Sequence, residues 1–190
     1  KLPMRVKTVP FDNNTVRLGS FTASFIKVTH SVPDTSNILI KSPIGNFYHG
    51  SDHKFDDTPY DGKPSDYEKI KKAGEDGVLC LLSDCLGSER AGRTPTEFPI
   101  ADHFAQELAN CKGKFIVTTY SSNVERLNQI IDASQKAGRK ICFLGRSLIK
   151  VKDVAQNLGY MKMPPTLEVP IDQIKNYHDN QLTYIVAGSQ

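Results

Sequence analysis

The hydrophobic period changes once along this chain, from a strand-like two in the front half to a helical 3.6 interleaved with short apolar runs in the back half, which excludes a uniform all-α or all-β architecture. Two portions of different construction are required. In the front, Phe21 to His30 is rich in β-branched and aromatic residues, and Asn37 to Lys41 and Phe47 to His49 flank the turn-forming Pro43-Ile44-Gly45-Asn46. A strand followed by a hairpin is expected. Ser65 with Glu68 reads as a capping box opening a short helix that Gly74 closes, and Val78 to Leu82 is a compact apolar run of the kind a buried strand shows, with Asp84 just past its end.

The polar, turn-rich stretch Gly87 to Pro95 separates the two halves, so the expected domains are 1–86 and 87–190. Beyond it, Ile100, Phe104, Leu108 and Cys111 share a helical face. Phe115 to Thr119, Ile141 to Leu144 and Leu182 to Val186 read as strands, and Val124 to Ala137 and Val151 to Leu158 as helices stopped by Gly138 and Gly159. Such alternation predicts a parallel sheet with right-handed crossovers.

Composition narrows the class without naming a function. The 190 residues are 38% hydrophobic and 24% charged with a net charge of +3, a balance that fits a globular chain and gives no basic tail for nucleic acid; any phosphate-binding surface has to be local. No apolar run approaches the roughly 20 residues of a membrane span, and the first residues lack a signal-peptide core, so a cytoplasmic chain without membrane partners is expected. Cys80, Cys85, Cys111 and Cys142 form no C-x-x-C and read as structural thiols. The chain starts at Lys1 without an initiator Met and stops just after a strand, so it is expected to be a piece of a larger protein.

Two sets of residues carry chemistry. An open parallel sheet holds ligands outside the carboxyl ends of its strands, where this chain places Tyr120-Ser121-Ser122-Asn123, Gly145-Arg146-Ser147 and Ala187-Gly188-Ser189-Gln190. Hydroxyls, two glycines and a guanidinium suit a phosphate group or a sugar–phosphate backbone; helix caps and a solvated charge are the other reading of the same residues. In the front half, His30 ends a strand and His49-Gly50-Ser51-Asp52-His53-Lys54-Phe55-Asp56 ends the hairpin. An imidazole and a carboxylate at strand ends suit a hydrolytic metal site. Spacing leaves His49, His53 and Asp52 as rival donors, and a hydrogen-bonded surface histidine stays open.

Taken in order, His30-Ser31-Val32-Pro33-Asp34, the run His49 to Asp56 with Thr58-Pro59 and Asp61-Gly62-Lys63-Pro64, then Leu82-Ser83-Asp84 with Glu89-Arg90 and Thr94-Pro95, then Gly145-Arg146-Ser147 and Gly188-Ser189-Gln190 resemble the ribonuclease J family over essentially the whole chain. The resemblance implies an α/β fold: the central part of a metallo-β-lactamase αββα domain, then a Rossmann-like β-CASP domain incomplete at its C-terminal side. It implies that His30 and Asp52 bind metal, Asp52 bridging two zinc ions, with manganese or magnesium as alternatives. Asp84 then orients a catalytic histidine farther along, and Ser122, Arg146, Gly188 and Ser189 hold the RNA 5′-monophosphate and backbone. Two departures touch the surroundings of these groups: His53 stands where the family usually has an aromatic, and Cys85-Leu86-Gly87 follow Asp84 in place of Ser-Thr-Asn.

The resemblance further implies a metal-dependent ribonuclease, acting as 5′-3′ exonuclease and endonuclease on single-stranded, preferably 5′-monophosphorylated RNA in processing and decay, and a homodimer or homotetramer in the full-length protein. The family's His-x-His-x-Asp-His cluster and late histidines are not in these residues, so the fragment alone is expected to be inactive. A non-catalytic RNA- or phosphate-binding module is the alternative. A small-ester or lactam hydrolase is a third reading, disfavoured by the β-CASP-like half.

Overall fold

The alternating apolar residues of the front half pair into a sheet of five strands, β1 (Thr15–Leu18), β2 (Phe21–Lys27), β3 (Ser36–Ser42), β4 (Gly45–His49) and β5 (Cys80–Leu82), in the order β1-β2-β3-β4-β5. The first four are antiparallel and β5 is parallel to β4. The structure is a computed structural model and describes residues 7–11 and 14–188. Its chain forms two compact units: one of residues up to His30, Asp34–Pro59 and Lys63–Pro95, the other of Ser31–Pro33, Tyr60–Gly62 and Thr96 onward.

In the first unit the crossover from β4 to β5 carries α1 (Tyr67–Glu75), whose Ala73 and Ile70 cover Ile26, Leu39 and Tyr48 on one face of the sheet. The register explains the face: Ser24 is opposite Leu39, which is opposite Tyr48, and cross-strand partners share a face. Asn37 is buried there because its amide donates to the Tyr48 hydroxyl at 3.0 Å and its carbonyl accepts from the Ser51 N–H at 3.1 Å. Gly45 has φ +143°, and a Cβ on it would lie 2.8 Å from Leu79 Cδ2, so only glycine fits this turn.

Several expectations are corrected in this unit. The Val78–Leu82 run shortens to β5, and it is not buried: Leu79, Leu81 and Leu82 are exposed, because β5 is an edge strand with no described residues over it. The opposite sheet face, with Phe25, Ile38, Ile40 and Phe47, is likewise apolar and only partly covered among the described residues. Asp66, not Ser65, caps α1, accepting from the Lys69 N–H at 3.0 Å; the buried Ser65 hydroxyl accepts from the Thr29 N–H instead. Gly74 lies inside α1, and an earlier strand, β1, precedes the expected one.

The second unit matches the alternation: α2 (Ile100–Asn110), β6 (Phe115–Thr119), α3 (Val124–Lys136), β7 (Lys140–Leu144), α4 (Arg146–Asn157) and β8 (Leu182–Ala187), with an all-parallel sheet in the order β6-β8-β7. Leu127, Ile130, Ile141, Leu148 and Ile185 are sealed between sheet and helices, each contributing about 1.5–3 kcal/mol by burial. α4 starts five residues earlier than expected, at Arg146, because Gly145 at φ +121° turns the chain directly into the helix and Leu148 reaches the core. Residues 159–181 return through 3₁₀ turns at Pro165–Leu167, Ile171–Asn176 and Asp179–Gln181, anchored by the buried Lys152, whose ammonium donates to both Glu168 carboxylate oxygens at 2.7 and 2.8 Å.

The thiols follow the fold. Cys142 is buried in β7, and desolvation followed by the Glu168 charge pushes its pKa up, whereas Cys85 is exposed. A maleimide at neutral pH is therefore expected to label Cys85 readily and Cys142 only once the second unit unfolds, as peptide mass spectrometry would read.

Candidate functional site

β2, β4 and β5 run in one direction, so their carboxyl ends, and with them His30, Asp52 and Asp84, follow one edge of the front sheet. Backbone bonds fix that edge: the Gly50 N–H donates to the Leu82 carbonyl at 2.6 Å and the Lys54 N–H to the Thr29 carbonyl at 2.8 Å, while the Thr29 hydroxyl donates to the Lys54 carbonyl. A Cβ on Gly50 would lie 3.2 Å from the Leu82 carbonyl oxygen, which favours glycine before the Asp52 loop.

At this edge Asp84 is held and Asp52 is not. The Asp84 carboxylate accepts from the Leu86 N–H at 2.9 Å and from the His53 N–H, and the His53 and His30 imidazoles act on it electrostatically. The Leu86 bond is the main cause of a pKa below the usual aspartate value. Asp52 is exposed, and its carboxylate has no hydrogen-bond or ion-pair partner among the described residues. His53 Nδ1 lies 2.8 Å from the Ser51 carbonyl; a carbonyl only accepts, so Nδ1 is the donor in this bond. Among the described residues no three His, Cys, Asp or Glu are grouped to hold a metal ion. His30 and Asp52 are thus two donors that do not by themselves fit a metal centre.

The pKa of Asp84 has a stability consequence of fixed sign. A folded-state value below the unfolded one means that the stabilisation is present above about pH 4 and is lost as pH falls through the lower folded value. The Asp84 carboxyl carbon, followed by NMR, is expected to titrate below the usual aspartate range, and Leu86→Pro, which removes the donor, should raise its midpoint.

The back sheet also aligns its loops. Thr119 pairs with Ala187 and Leu144 with Val186, so Tyr120–Asn123, Gly145–Ser147 and Gly188 leave the same edge. Their surroundings differ from one loop to the next. The Gly188 N–H is occupied by the Thr119 carbonyl at 3.0 Å and offers a ligand nothing. Asn123 caps α3, accepting from the Arg126 N–H at 2.9 Å. Ser122 is exposed and lines an apolar groove with Val32, Val151, Val154 and Leu158. Arg146 is exposed in the first turn of α4, whose Gly145 cap leaves the helix N–H groups without a side-chain acceptor. Ser189 lies outside the described residues.

Arg126 is the residue that sequence reasoning missed. A cavity of about 400 Å³ opens at this edge, lined by Thr118, Thr119, Tyr120, Asn123, Arg126 and Gly188. One guanidinium nitrogen of Arg126 pairs with Glu97, and its Nε is buried with no hydrogen-bond partner. A cation in the first turn of a helix opposes the macrodipole, which was the available signal. The lining combines a guanidinium side chain with two threonines, residue types suited to an anion, in a cavity open to solvent.

This edge lies within residues 112–190, which match the family model described as Ribonuclease J, beta-CASP domain. Over these residues the chain matches ribonuclease J. Ribonuclease J of Thermus thermophilus is 39% identical over 170 residues, covering 90% of this chain and 30% of the relative, and Ribonuclease J of Synechocystis sp. is 41% identical over 176 residues, covering 92% and 28%. Ribonuclease J2 of Bacillus subtilis is 35% identical over 167 residues, covering 88% and 30%. The chain therefore spans less than a third of the length of these ribonucleases J. A crystal structure of a protein of unknown function from Enterococcus faecalis V583 superposes with a TM-score of 0.64 at 17% identity, covering 99% of this chain and 45% of the other, and shares the fold.

Proposed function

We propose that the protein carrying this chain hydrolyses phosphodiester bonds of single-stranded RNA, and that these residues supply part of the hydrolytic edge and an RNA phosphate site. The observation that carries this reading is the cavity at the carboxyl edge of β6 and β8, lined by Arg126, Thr118 and Thr119. The identity to ribonucleases J across both units supports it. Arg126 and Arg146 bind phosphate, and end-binding of a 5′-monophosphate sets the register for stepwise 5′-3′ removal; cutting within the strand uses the same residues without the end being held.

His30 and Asp52 contribute donors to a zinc centre completed by groups other than the described residues, with manganese or magnesium as alternative ions. Such ions, when bound, supply a hydroxide near neutral pH and offset charge developing on phosphate. Asp84, held by two N–H groups, stays ionised and positions a histidine proton donor. For the complete protein the same reading includes cytoplasmic RNA processing and decay, ribosomal RNA among the substrates, and a homodimer or homotetramer. No helix among the described residues is long and apolar enough to cross a membrane.

The absence of a three-donor group among the described residues favours a second reading, in which the chain binds RNA without cutting it. One experiment separates them. The complete protein, loaded with zinc or manganese, is mixed with 5′-monophosphorylated single-stranded RNA, and both binding and product length are followed. Shortened RNA supports the nuclease, whereas RNA that is bound and stays intact supports the binder.

A further inference from the structure

We propose that His53, Phe55 and Tyr67 form a row of rings on which an unpaired nucleobase of the RNA stacks. This site rests on the RNA reading above and uses none of the residues that line the phosphate cavity. The ring centroids of His53 and Phe55 are 4.7 Å apart with planes tilted by 52°, and those of Phe55 and Tyr67 are 5.7 Å apart, tilted by 44°. Both distances are those of interacting aromatic pairs. Yet Phe55 and Tyr67 are 40% and 38% exposed, and neither joins the apolar core that α1 forms with Ile26, Leu39 and Tyr48. Two large aromatic rings have therefore been left half in water beside the strand-end edge that carries Asp52.

The rings are held in place from behind. The Tyr67 hydroxyl donates to Asp57 at 2.8 Å, the Arg93 guanidinium donates to the other Asp57 oxygen at 2.7 Å, and it also donates to the Phe55 carbonyl at 3.1 Å. His53 is fixed by the bond between its Nδ1 and the Ser51 carbonyl. Such bracing lowers the ordering cost of binding. The charges do not select a phosphate here: Arg93 pairs with Asp57 at 2.7 Å and Lys54 with Asp56 at 4.0 Å, so the cations beside the rings are already partnered. A neutral, flat base is the ligand that fits, and stacking on aromatic rings is the general mode for unpaired bases. His53, where the family usually has an aromatic, keeps a ring in the row.

The test uses this chain and a short oligoadenylate carrying one 2-aminopurine, whose fluorescence falls when the base stacks. Wild type is expected to bind with quenching. Phe55→Leu and Tyr67→Leu should each weaken binding by about tenfold and remove the quenching, while Phe55→Trp should restore both. An abasic oligoribonucleotide of equal charge should bind wild type and Phe55→Leu alike. Unchanged affinity and quenching in folded Phe55→Leu and Tyr67→Leu, with the oligoadenylate still bound, would overturn the stacking site and leave the RNA reading standing. No binding of either oligonucleotide by wild type would overturn both.

Discussion

Replacing Asp52 by Asn in the complete protein is expected to lower hydrolysis of 5′-monophosphorylated single-stranded RNA by more than about 100-fold, since even partners of metal ligands typically cost 10- to 100-fold. Its thermal unfolding in the metal-free protein should stay where it is, because the Asp52 carboxylate is exposed and holds no described partner that the substitution would strand. Asparagine keeps the shape and removes the charge, so the change isolates what the carboxylate does for a metal. Single-turnover cleavage, elemental analysis and a melting curve read the three quantities separately. Full zinc content together with full cleavage would remove Asp52 from the proposed centre. The parallel change Asp84→Asn acts differently: it weakens the bonds to the Leu86 and His53 N–H groups, so it should disturb the edge as well as the chemistry.

Arg139→Ala is expected to destabilise the second unit by about 3 kcal/mol. Arg139 is 4% exposed, and its guanidinium donates to the carbonyls of Gly113 at 2.9 Å, Leu182 at 3.1 Å and Cys111. Those carbonyls belong to the connection from α2 to β6 and to the first residue of β8, so one side chain ties the central strand to its neighbour's approach. Alanine leaves the buried Leu182 carbonyl and the part-buried carbonyls of Cys111 and Gly113 without this donor, and Lys cannot reproduce the planar fork. Urea unfolding followed by the Tyr184 signal in β8 would measure the loss; a change under 1 kcal/mol would mean that water replaces the guanidinium at the three carbonyls.

Legibility in the sequence depended on how far apart the partners of each feature lie. The face of α3 formed by Val124, Leu127, Ile130 and Ile131, and the strands Phe115–Thr119 and Leu182 to Val186, follow from neighbours two to four residues away; the structure has them there, with the last strand running one residue further to Ala187. Ser65 and Asp66 can both cap α1. Asp66 does so because the Ser65 hydroxyl is taken by Thr29, 36 residues earlier, a contact no local pattern reveals. α4 was read short because Gly145-Arg146-Ser147 looks like a loop until Leu148 is seen in the core. The apolar run in β5 correctly announced a strand, but its exposure depends on what lies over it.

The candidate sites divide in the same way. The ordered motifs from His30 to Gly188 were enough to select the family and the two edges, since strand direction and loop position follow from the order of elements along the chain. Which polar groups at those edges are available was decided by folding: the Gly188 N–H is occupied by Thr119, Asn123 by its own helix, and Arg126 faces a cavity with Glu97 from 29 residues earlier on one side. Periodicity is a property of residues close in the chain. Hydrogen-bond partners and burial are settled by segments that meet only in three dimensions, and they determine whether a donor is left for a ligand.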